Sequence, residues 1–191
     1  SQQGKKILVI DLDPQGNATT GLGLSNIEHS DKTIYGILNG TMPISKVIKK
    51  TKFQNLDLIS SNVDLSGLEV ETAGDNDRAF ILKAKLTAYL NDSGELYDYV
   101  LIDCPPSLSL LTVMALVSSN SLLVPLQTEF FALEGITQLM KTIERIKINL
   151  NPSLEIQGIL LTMYDRRNNL STQVEQEARS YFKDKVYQTV I

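Results

Sequence analysis

Two apolar runs that end in carboxylates are the part of this sequence best suited to chemistry. The first run, Lys6–Asp11, leads into residues 11–17, which read DLDPQGN. The second, Tyr99–Asp103, leads into residues 103–107, which read DCPPS. Aspartates at strand ends can hold Mg²⁺ through oxygen or water ligands, and one of them can orient an attacking water molecule. The prolines and glycine after these acids predict tight loops that respond to a bound phosphate.

Each of these acids also has a purely structural interpretation. A lone aspartate at a strand end more often caps a helix or accepts hydrogen bonds from loop amides. Two such acids, each followed by a proline-containing loop, favour a functional site instead. Open α/β sheets bind ligands at the carboxyl ends of their strands, so that edge of the sheet is where we expect the site.

The elements that must position these acids alternate between short apolar strands and longer amphipathic helices. Continuous apolar runs rich in branched residues are typical of parallel strands covered on both sides. The pattern predicts an α/β fold, a doubly wound and mostly parallel sheet with helices on both faces, in a single domain over residues 1–191. A turn over Gly36–Pro43 is expected to join two short helical pieces. The predicted strands are 6–11, 56–60, 99–103, 121–125, 156–162 and 186–191, and the predicted helices are 77–90, 133–150 and 171–182.

Composition excludes several classes of protein. With 191 residues, 42% hydrophobic and 21% charged, the chain can form an ordinary globular core. No apolar run reaches the length of a membrane span. The net charge of −4 means that any nucleic-acid contact must come from a local patch. The single cysteine, Cys104, favours a reducing cytosol, and the single histidine, His29, is predicted to be a solvated loop residue that offers Cys104 no partner for nucleophilic chemistry.

A family resemblance becomes specific at the two acidic motifs. Residues 11–19, DLDPQGNAT, resemble the switch I motif of the ParA-type chromosome and plasmid partition ATPases nearly residue for residue. Residues 97–107 are similar to the Walker B strand and switch II of that family. Weaker blocks at residues 129–135 and 160–165 follow in the right order, so the resemblance covers essentially the whole chain. It implies a P-loop NTPase-like fold with ATP and Mg²⁺ as cofactors.

The resemblance also implies a role for each matching residue. Asp13 corresponds to the switch I carboxylate that orients or activates the attacking water. Arg167 corresponds to a basic residue that family members use on the DNA backbone, and Arg166 beside it suits phosphate in a loop with one acid. A solvated surface pair is the alternative for these two arginines. The remaining assignments are Asp11 and Asp103 near Mg²⁺, mostly through water, Gly16 and Asn17 in the loop that senses the γ-phosphate, and Pro105, Pro106 and Ser107 in switch II.

One expected motif is not found in the sequence. A phosphate-binding loop needs the pattern Gly-x-x-x-x-Gly-Lys-Ser/Thr, and no segment matches it. In the family this loop follows a first strand that lies upstream of Ser1, and it carries the lysine that reaches the partner's nucleotide. We therefore expect a chain truncated at both ends that lacks the first strand–loop–helix unit, leaves sheet edges unpaired and binds ATP poorly alone. Gly4 would be the left-handed cap of the preceding helix. A natural gene product with an intact mass of 21.2 kDa would contradict this expectation.

The function implied by the resemblance is an ATP-driven partition switch, cytoplasmic and associated with the nucleoid. ATP would form a homodimer that binds DNA without sequence preference, and a ParB/Spo0J-like stimulator would trigger hydrolysis. One alternative is a MinD-like membrane-associated cell-division ATPase, which would need an amphipathic helix at its C-terminus. Another is a non-catalytic ATPase-like scaffold, which the absent phosphate loop would support. The DPQGN form of switch I favours partition.

Overall fold

The computed structural model describes residues 3–24, 31–92, 94, 97–129 and 132–191, apart from the side chain of Leu133. His29 lies outside these residues, as do residues 130 and 131 of the block 129–135. The chain packs as two compact units, Ser1–Ser118 and Ser119–Ile191. A single-domain organisation over the whole chain therefore stays a prediction.

A four-stranded sheet organises the first unit. Its strands lie in the order β2-β3-β1-β4, where β1 is Ile7–Asp11, β2 is Lys49–Lys50, β3 is Leu56–Ile59 and β4 is Tyr99–Asp103. Strand β1 pairs in parallel with both β3 and β4, and only the two-residue β2 is antiparallel. A short edge strand made of two lysines discourages pairing with another chain.

Helices cover the face of this sheet that carries alternate, fully buried apolar side chains such as Leu8 and Ile10 of β1. Their apolar residues join one hydrophobic cluster with the sheet, and this cluster is the core of the first unit. A short helix after β1 and two 3-10 turns, Val63–Gly67 and Arg78–Phe80, complete the unit. The helices are α1 (Asn17–Gly21), α2 (Ile34–Leu38), α3 (Ile44–Val47), α4 (Leu68–Glu71), α5 (Ile81–Asp92) and α6 (Leu110–Ser118).

Strand β4 is an edge of this sheet within the described part of the chain. Its outward side chains Tyr99 and Leu101 are 57% and 53% exposed. One face of β4 is therefore open to solvent, and the expectation of unpaired sheet edges stays a prediction.

The second unit is a three-stranded parallel sheet with two long helices. The strands β5 (Ser121–Gln127), β6 (Glu155–Thr162) and β7 (Val186–Val190) lie in that order. Helices α7 (Ala132–Asn149) and α8 (Asn169–Phe182) contribute buried side chains to a cluster with these strands. A 3-10 turn, Lys183–Lys185, links α8 to β7.

The predicted fold class is confirmed, because both units combine parallel strands with helices. The predicted strands and the three predicted helices all appear, with ends shifted by a few residues. Some details differ from the sequence prediction. Gly36 lies inside α2 instead of the following turn, and the helices α1, α4 and α6 and the two-residue strand β2 were not predicted. None of the described helices is both long enough and apolar enough to cross a membrane. Gly4 has the expected left-handed conformation, with φ of 77°.

Gly36 gives a stability prediction, because α2 approaches a neighbouring backbone closely at this residue. A Cβ added there would overlap the carbonyl oxygen of Asp31 and lie 2.9 Å from the carbonyl carbon. Since the obstacle is backbone, Gly36→Ala is expected to lower the free energy of unfolding by about 1–3 kcal/mol. Gly135→Ala in α7 is the control, since a Cβ there has nothing within 4 Å, and it should stabilise by about 0.5–1 kcal/mol. Urea unfolding measures both, and an unchanged midpoint for Gly36→Ala would contradict the prediction.

Candidate functional site

The pairing of β1 with β4 brings the two strand-end acids together. In this parallel pair Asp11 is directly in register with Asp103. The amide of Leu12 donates to the carbonyl of Asp103 at 2.7 Å, so pairing continues one residue beyond the end of β1. Both acidic loops therefore leave the sheet at the same carboxyl edge, where open α/β sheets bind their ligands.

Asp11 anchors the loop that follows it. Its side chain is fully buried, and its Oδ1 accepts from the amide of Asp13 at 3.2 Å. Its Oδ2 accepts from the amide of Thr19 at 2.7 Å and from the Thr19 hydroxyl at 2.6 Å. These contacts match the structural interpretation of a strand-end acid, and the role of Asp11 near Mg²⁺ stays a prediction.

Asp13 lies in the middle of the predicted switch I loop and is only partly buried. Its Oδ1 accepts from the amide of Gln15 at 2.9 Å, and its carbonyl accepts from the amide of Gly16 at 2.9 Å. Among the described residues, no group donates a hydrogen bond to its Oδ2. The loop thus holds the carboxylate through one of its two oxygens, and the catalytic role of Asp13 stays a prediction.

Gly16 and Asn17 lie where the loop turns into α1. Gly16 precedes the helix with φ of 64° and ψ of 33°, a left-handed conformation that glycine adopts without strain. A Cβ at Gly16 would lie 3.6 Å from the carbonyl of Ser61, so the loop rests directly on the segment after β3. Asn17 begins α1 and is exposed. Asn17 is therefore exposed to solvent, next to a loop backbone that lies against the carbonyl of Ser61.

Asp103 lies in an unfavourable electrostatic environment. Partial burial raises the pKa of its carboxyl, and the neighbouring carboxylates of Asp11 and Asp13 raise this pKa further. Because like charges crowd this edge of the sheet, a cation or a proton would stabilise it. Such a cluster, held in place by the fold at the expense of stability, is typical of a functional site.

The raised pKa of Asp103 predicts how stability depends on pH. In the unfolded chain the burial and the neighbouring charges are absent, so the folded state holds this proton more tightly. Protonated Asp103 therefore stabilises the folded state fully below the ordinary aspartate pKa, near pH 4. This stabilisation is lost as the pH rises through the pKa of Asp103 in the folded state.

Asp103→Asn removes the charge that this environment disfavours. We expect it to have a higher melting temperature than the wild type at pH 7, with the difference shrinking to nothing near pH 3.5. Asp75→Asn is the control, since Asp75 lies in an exposed turn. Thermal unfolding between pH 3.5 and 7 measures the effect, and a lower melting temperature for Asp103→Asn at pH 7 would contradict it.

The predicted switch II segment follows β4 and is hydrogen-bonded to a helix side chain. The hydroxyl of Thr112, in α6, lies 2.5 Å from the carbonyl of Ser107 and 3.3 Å from that of Pro105. Pro106 and Ser107 are exposed. The turn is thus held through backbone carbonyls while its side chains remain accessible.

Cys104 has the properties of a packing residue. Burial raises the pKa of its thiol, and the charges of Asp103 and Asp13 raise it further. The thiol therefore stays protonated at neutral pH, a form that is a poor nucleophile. This agrees with the interpretation from the sequence.

The donor set suits a cation held through water. Within the described residues, no group of three or more histidine, cysteine, aspartate or glutamate side chains could enclose a metal ion. The oxygens of Asp11 already accept hydrogen bonds, whereas the carboxylate of Asp103 is only partly buried and is repelled by its neighbours. Mg²⁺ keeps several of its waters when bound, so Asp103 fits it as a ligand acting through water.

Arg166 and Arg167 lie in the second unit, in the loop between β6 and α8. The guanidinium of Arg167 is 91% exposed and forms a two-pronged ion pair with Asp165, at 3.1 Å from Nε and 3.0 Å from Nη2. The backbone amide of Arg167 also donates to Asp165, at 2.9 Å. Asn168 then caps α8 by accepting from the amide of Leu170. Both arginines therefore stand on a structured, exposed loop.

Two threonines with site contacts were missed by reasoning from the sequence. Thr19 bonds to Asp11, and Thr112 bonds to the switch II carbonyls. Thr19 is the last residue of the family motif at 11–19, so the motif itself was a signal. Thr112 lies in an apolar stretch, and its burial at 6% exposure is visible only in the structure.

Comparisons with known proteins agree with this architecture. A family model described as an AAA domain matches residues 1–156. The chain is 51% identical over 188 residues to the chromosome partitioning protein ParA of Caulobacter vibrioides, covering 98% of this chain and 69% of that protein. It is 45% identical over 188 residues to the sporulation initiation inhibitor protein Soj of Bacillus subtilis, covering 98% of this chain and 72% of that protein. Cobyrinic acid a,c-diamide synthase from Mycobacterium smegmatis, solved with an ATP analog and magnesium, matches with a TM-score of 0.85 at 33% identity, over 95% of this chain and 72% of that one.

The parallel α/β fold, the paired strand-end acids and the AAA-domain match define a P-loop ATPase type of protein. The chain belongs to the ParA/Soj family of chromosome-partitioning ATPases.

Proposed function

We propose that this protein is an ATP-hydrolysing partition switch that moves chromosomal or plasmid DNA. ATP binding drives homodimerisation, the dimer binds DNA without sequence preference, and a ParB-like partner stimulates hydrolysis and release. The place of action is the cytoplasm, on the nucleoid. Membership of the ParA/Soj family supports this cycle.

The observation that carries the proposal is the register of Asp11 with Asp103 at one sheet edge. Asp13, held in its loop by Gln15, orients the attacking water through its second oxygen. Asp103 would hold Mg²⁺ through water, and the ion would supply positive charge beside the phosphates. Gly16 and Asn17 sense the γ-phosphate, and Ser107 belongs to the second loop that responds to it.

DNA contact is assigned to Arg166 and Arg167. Arg166 is exposed, and its positive charge interacts with the carboxylate of Glu175. Arg167 projects into solvent beside Asp165. Arginine forks match phosphate oxygens, and contacts to phosphate carry no sequence information. An exposed arginine pair therefore suits DNA binding without sequence preference.

Titration with a fluorescent ATP analogue tests the proposal. The full-length gene product is expected to bind saturably and to hydrolyse ATP. The 191-residue chain, whose sequence has no phosphate-binding loop pattern, is expected to bind at least about tenfold more weakly and to be inactive. Absence of binding by the full-length protein would contradict an ATPase and favour a non-catalytic scaffold.

A further inference from the structure

Thr19 forms a three-way hydrogen-bonded junction beneath the predicted switch I loop. Its side chain is 4% exposed, in the short helix α1. Its hydroxyl donates to Oδ2 of Asp11 at 2.6 Å and accepts from the amide of Ser61 at 3.0 Å. Its own amide donates to the same Oδ2 at 2.7 Å. One residue of α1 thus ties together the end of β1 and the segment after β3.

This junction closes the loop that contains Asp13. The loop begins and ends on one buried carboxylate, because Asp11 accepts from the amide of Asp13 and, eight positions further along the chain from Asp11, from Thr19. Fixing both ends of so short a segment restricts where the carboxylate of Asp13 can lie. Displacements of about 1 Å at a reacting group can cost two orders of magnitude in rate.

The segment after β3 supports the loop from the other side. Ser61 donates its amide to Thr19, and its carbonyl lies under Gly16. Its side-chain hydroxyl is buried and has no hydrogen-bond partner within the described residues. The backbone of Ser61 therefore makes the junction, and its hydroxyl can be removed without disturbing it.

We infer that Thr19 is a positioning residue for ATP hydrolysis, which sets the location of Asp13 without touching the nucleotide. The inference rests on the proposed ATPase function. A merely structural threonine would affect stability and ATP binding together. A positioning threonine affects turnover and leaves ATP affinity unchanged, and a serine replaces it because the hydroxyl makes the bonds.

Three variants of the full-length gene product separate these possibilities. Thr19→Val keeps the shape and removes the hydroxyl, Thr19→Ser keeps the hydroxyl, and Ser61→Ala removes only the hydroxyl that has no partner. We expect Thr19→Val to lower kcat at least about tenfold with the Kd for ATP within about twofold of wild type. Thr19→Ser and Ser61→Ala should stay within about threefold of wild type in kcat.

Hydrogen exchange adds a readout that does not depend on turnover. The Ser61 amide should exchange slowly in the wild type and in Thr19→Ser, and faster in Thr19→Val. If Thr19→Val does not melt cooperatively, Thr19→Ala replaces it under the same criteria.

The outcomes distinguish the two claims. An inactive wild type overturns the proposed function and, with it, the positioning role. An active wild type with an unaffected Thr19→Val, an equal loss of kcat in Thr19→Ser, or a parallel loss of ATP binding overturns the positioning role alone.

Discussion

Asp13→Asn in the full-length protein is expected to lower the ATP turnover number by about two to four orders of magnitude. In the proposed mechanism the carboxylate supplies the charge that orients or activates the attacking water. Asparagine keeps the oxygen that accepts from the amide of Gln15, so the turn survives. The Kd for ATP should therefore change by less than about threefold. Single-turnover hydrolysis and an ATP titration measure the two quantities.

Asp75→Asn is the matched control for this variant. Asp75 accepts from the amide of Asp77 at 2.8 Å, the same kind of turn, but in an exposed loop. Its replacement should leave turnover at the wild-type value. A turnover number for Asp13→Asn within about fivefold of wild type would remove Asp13 from the catalytic role.

Removing Arg166 and Arg167 together is expected to weaken DNA binding in the presence of ATP by about tenfold or more at low salt. Each lost phosphate contact should also lower the slope of log affinity against log salt by about one. Retention of duplex DNA of unrelated sequences, measured over a salt series, gives both numbers. The loss should be the same for every sequence, because phosphate contacts do not read bases.

Two further variants make this experiment specific. Arg145→Ala removes one positive charge from the exposed face of α7 and should leave affinity nearly unchanged. Asp165→Asn frees the Arg167 guanidinium from its ion pair and should raise affinity, because phosphate no longer competes with a carboxylate. Equal retention by the double arginine variant and Arg145→Ala would exclude this loop from DNA binding.

The sequence predicted β1 and β4 well because each is a continuous apolar run that ends in an acid. The edge strand β2, made of two lysines, has no apolar run and was not predicted. The acids at the ends of β1 and β4 were visible for the same reason, and parallel pairing places them at one edge. Their register could not be read from the sequence, since it depends on which strands are neighbours. The pairing of Asp11 with Asp103 supplies that information.

Helix α6 shows where periodicity fails. Most of its side chains are buried, including Leu111, Met114 and Val117. A helix that is apolar on all sides lacks the one-sided pattern that identifies an amphipathic helix. The prediction of a turn at Gly36 was wrong for a different reason. Glycine usually marks a turn, but here it allows α2 to approach the Asp31 backbone.

Side-chain partners were the least predictable part of the site. The motif placed Asp11 near Mg²⁺, yet in the structure its oxygens accept hydrogen bonds from Thr19 and Asp13. Arg167 was assigned as a basic loop residue, and its two-pronged pairing with Asp165 became visible only in the structure. Such contacts depend on distances of a few tenths of an ångström, which spacing along a chain does not determine.

ATP-dependent DNA binding by the full-length gene product tests the central claim most directly. Retention of sequence-unrelated duplex DNA would be compared with ATP and Mg²⁺, with ADP and Mg²⁺, and without nucleotide, at one fixed salt concentration. A partition switch predicts strong retention with ATP that is lost with ADP and without nucleotide, and that depends on Arg166 and Arg167. Retention that is equal in all three conditions, or absent in all three, would contradict the account.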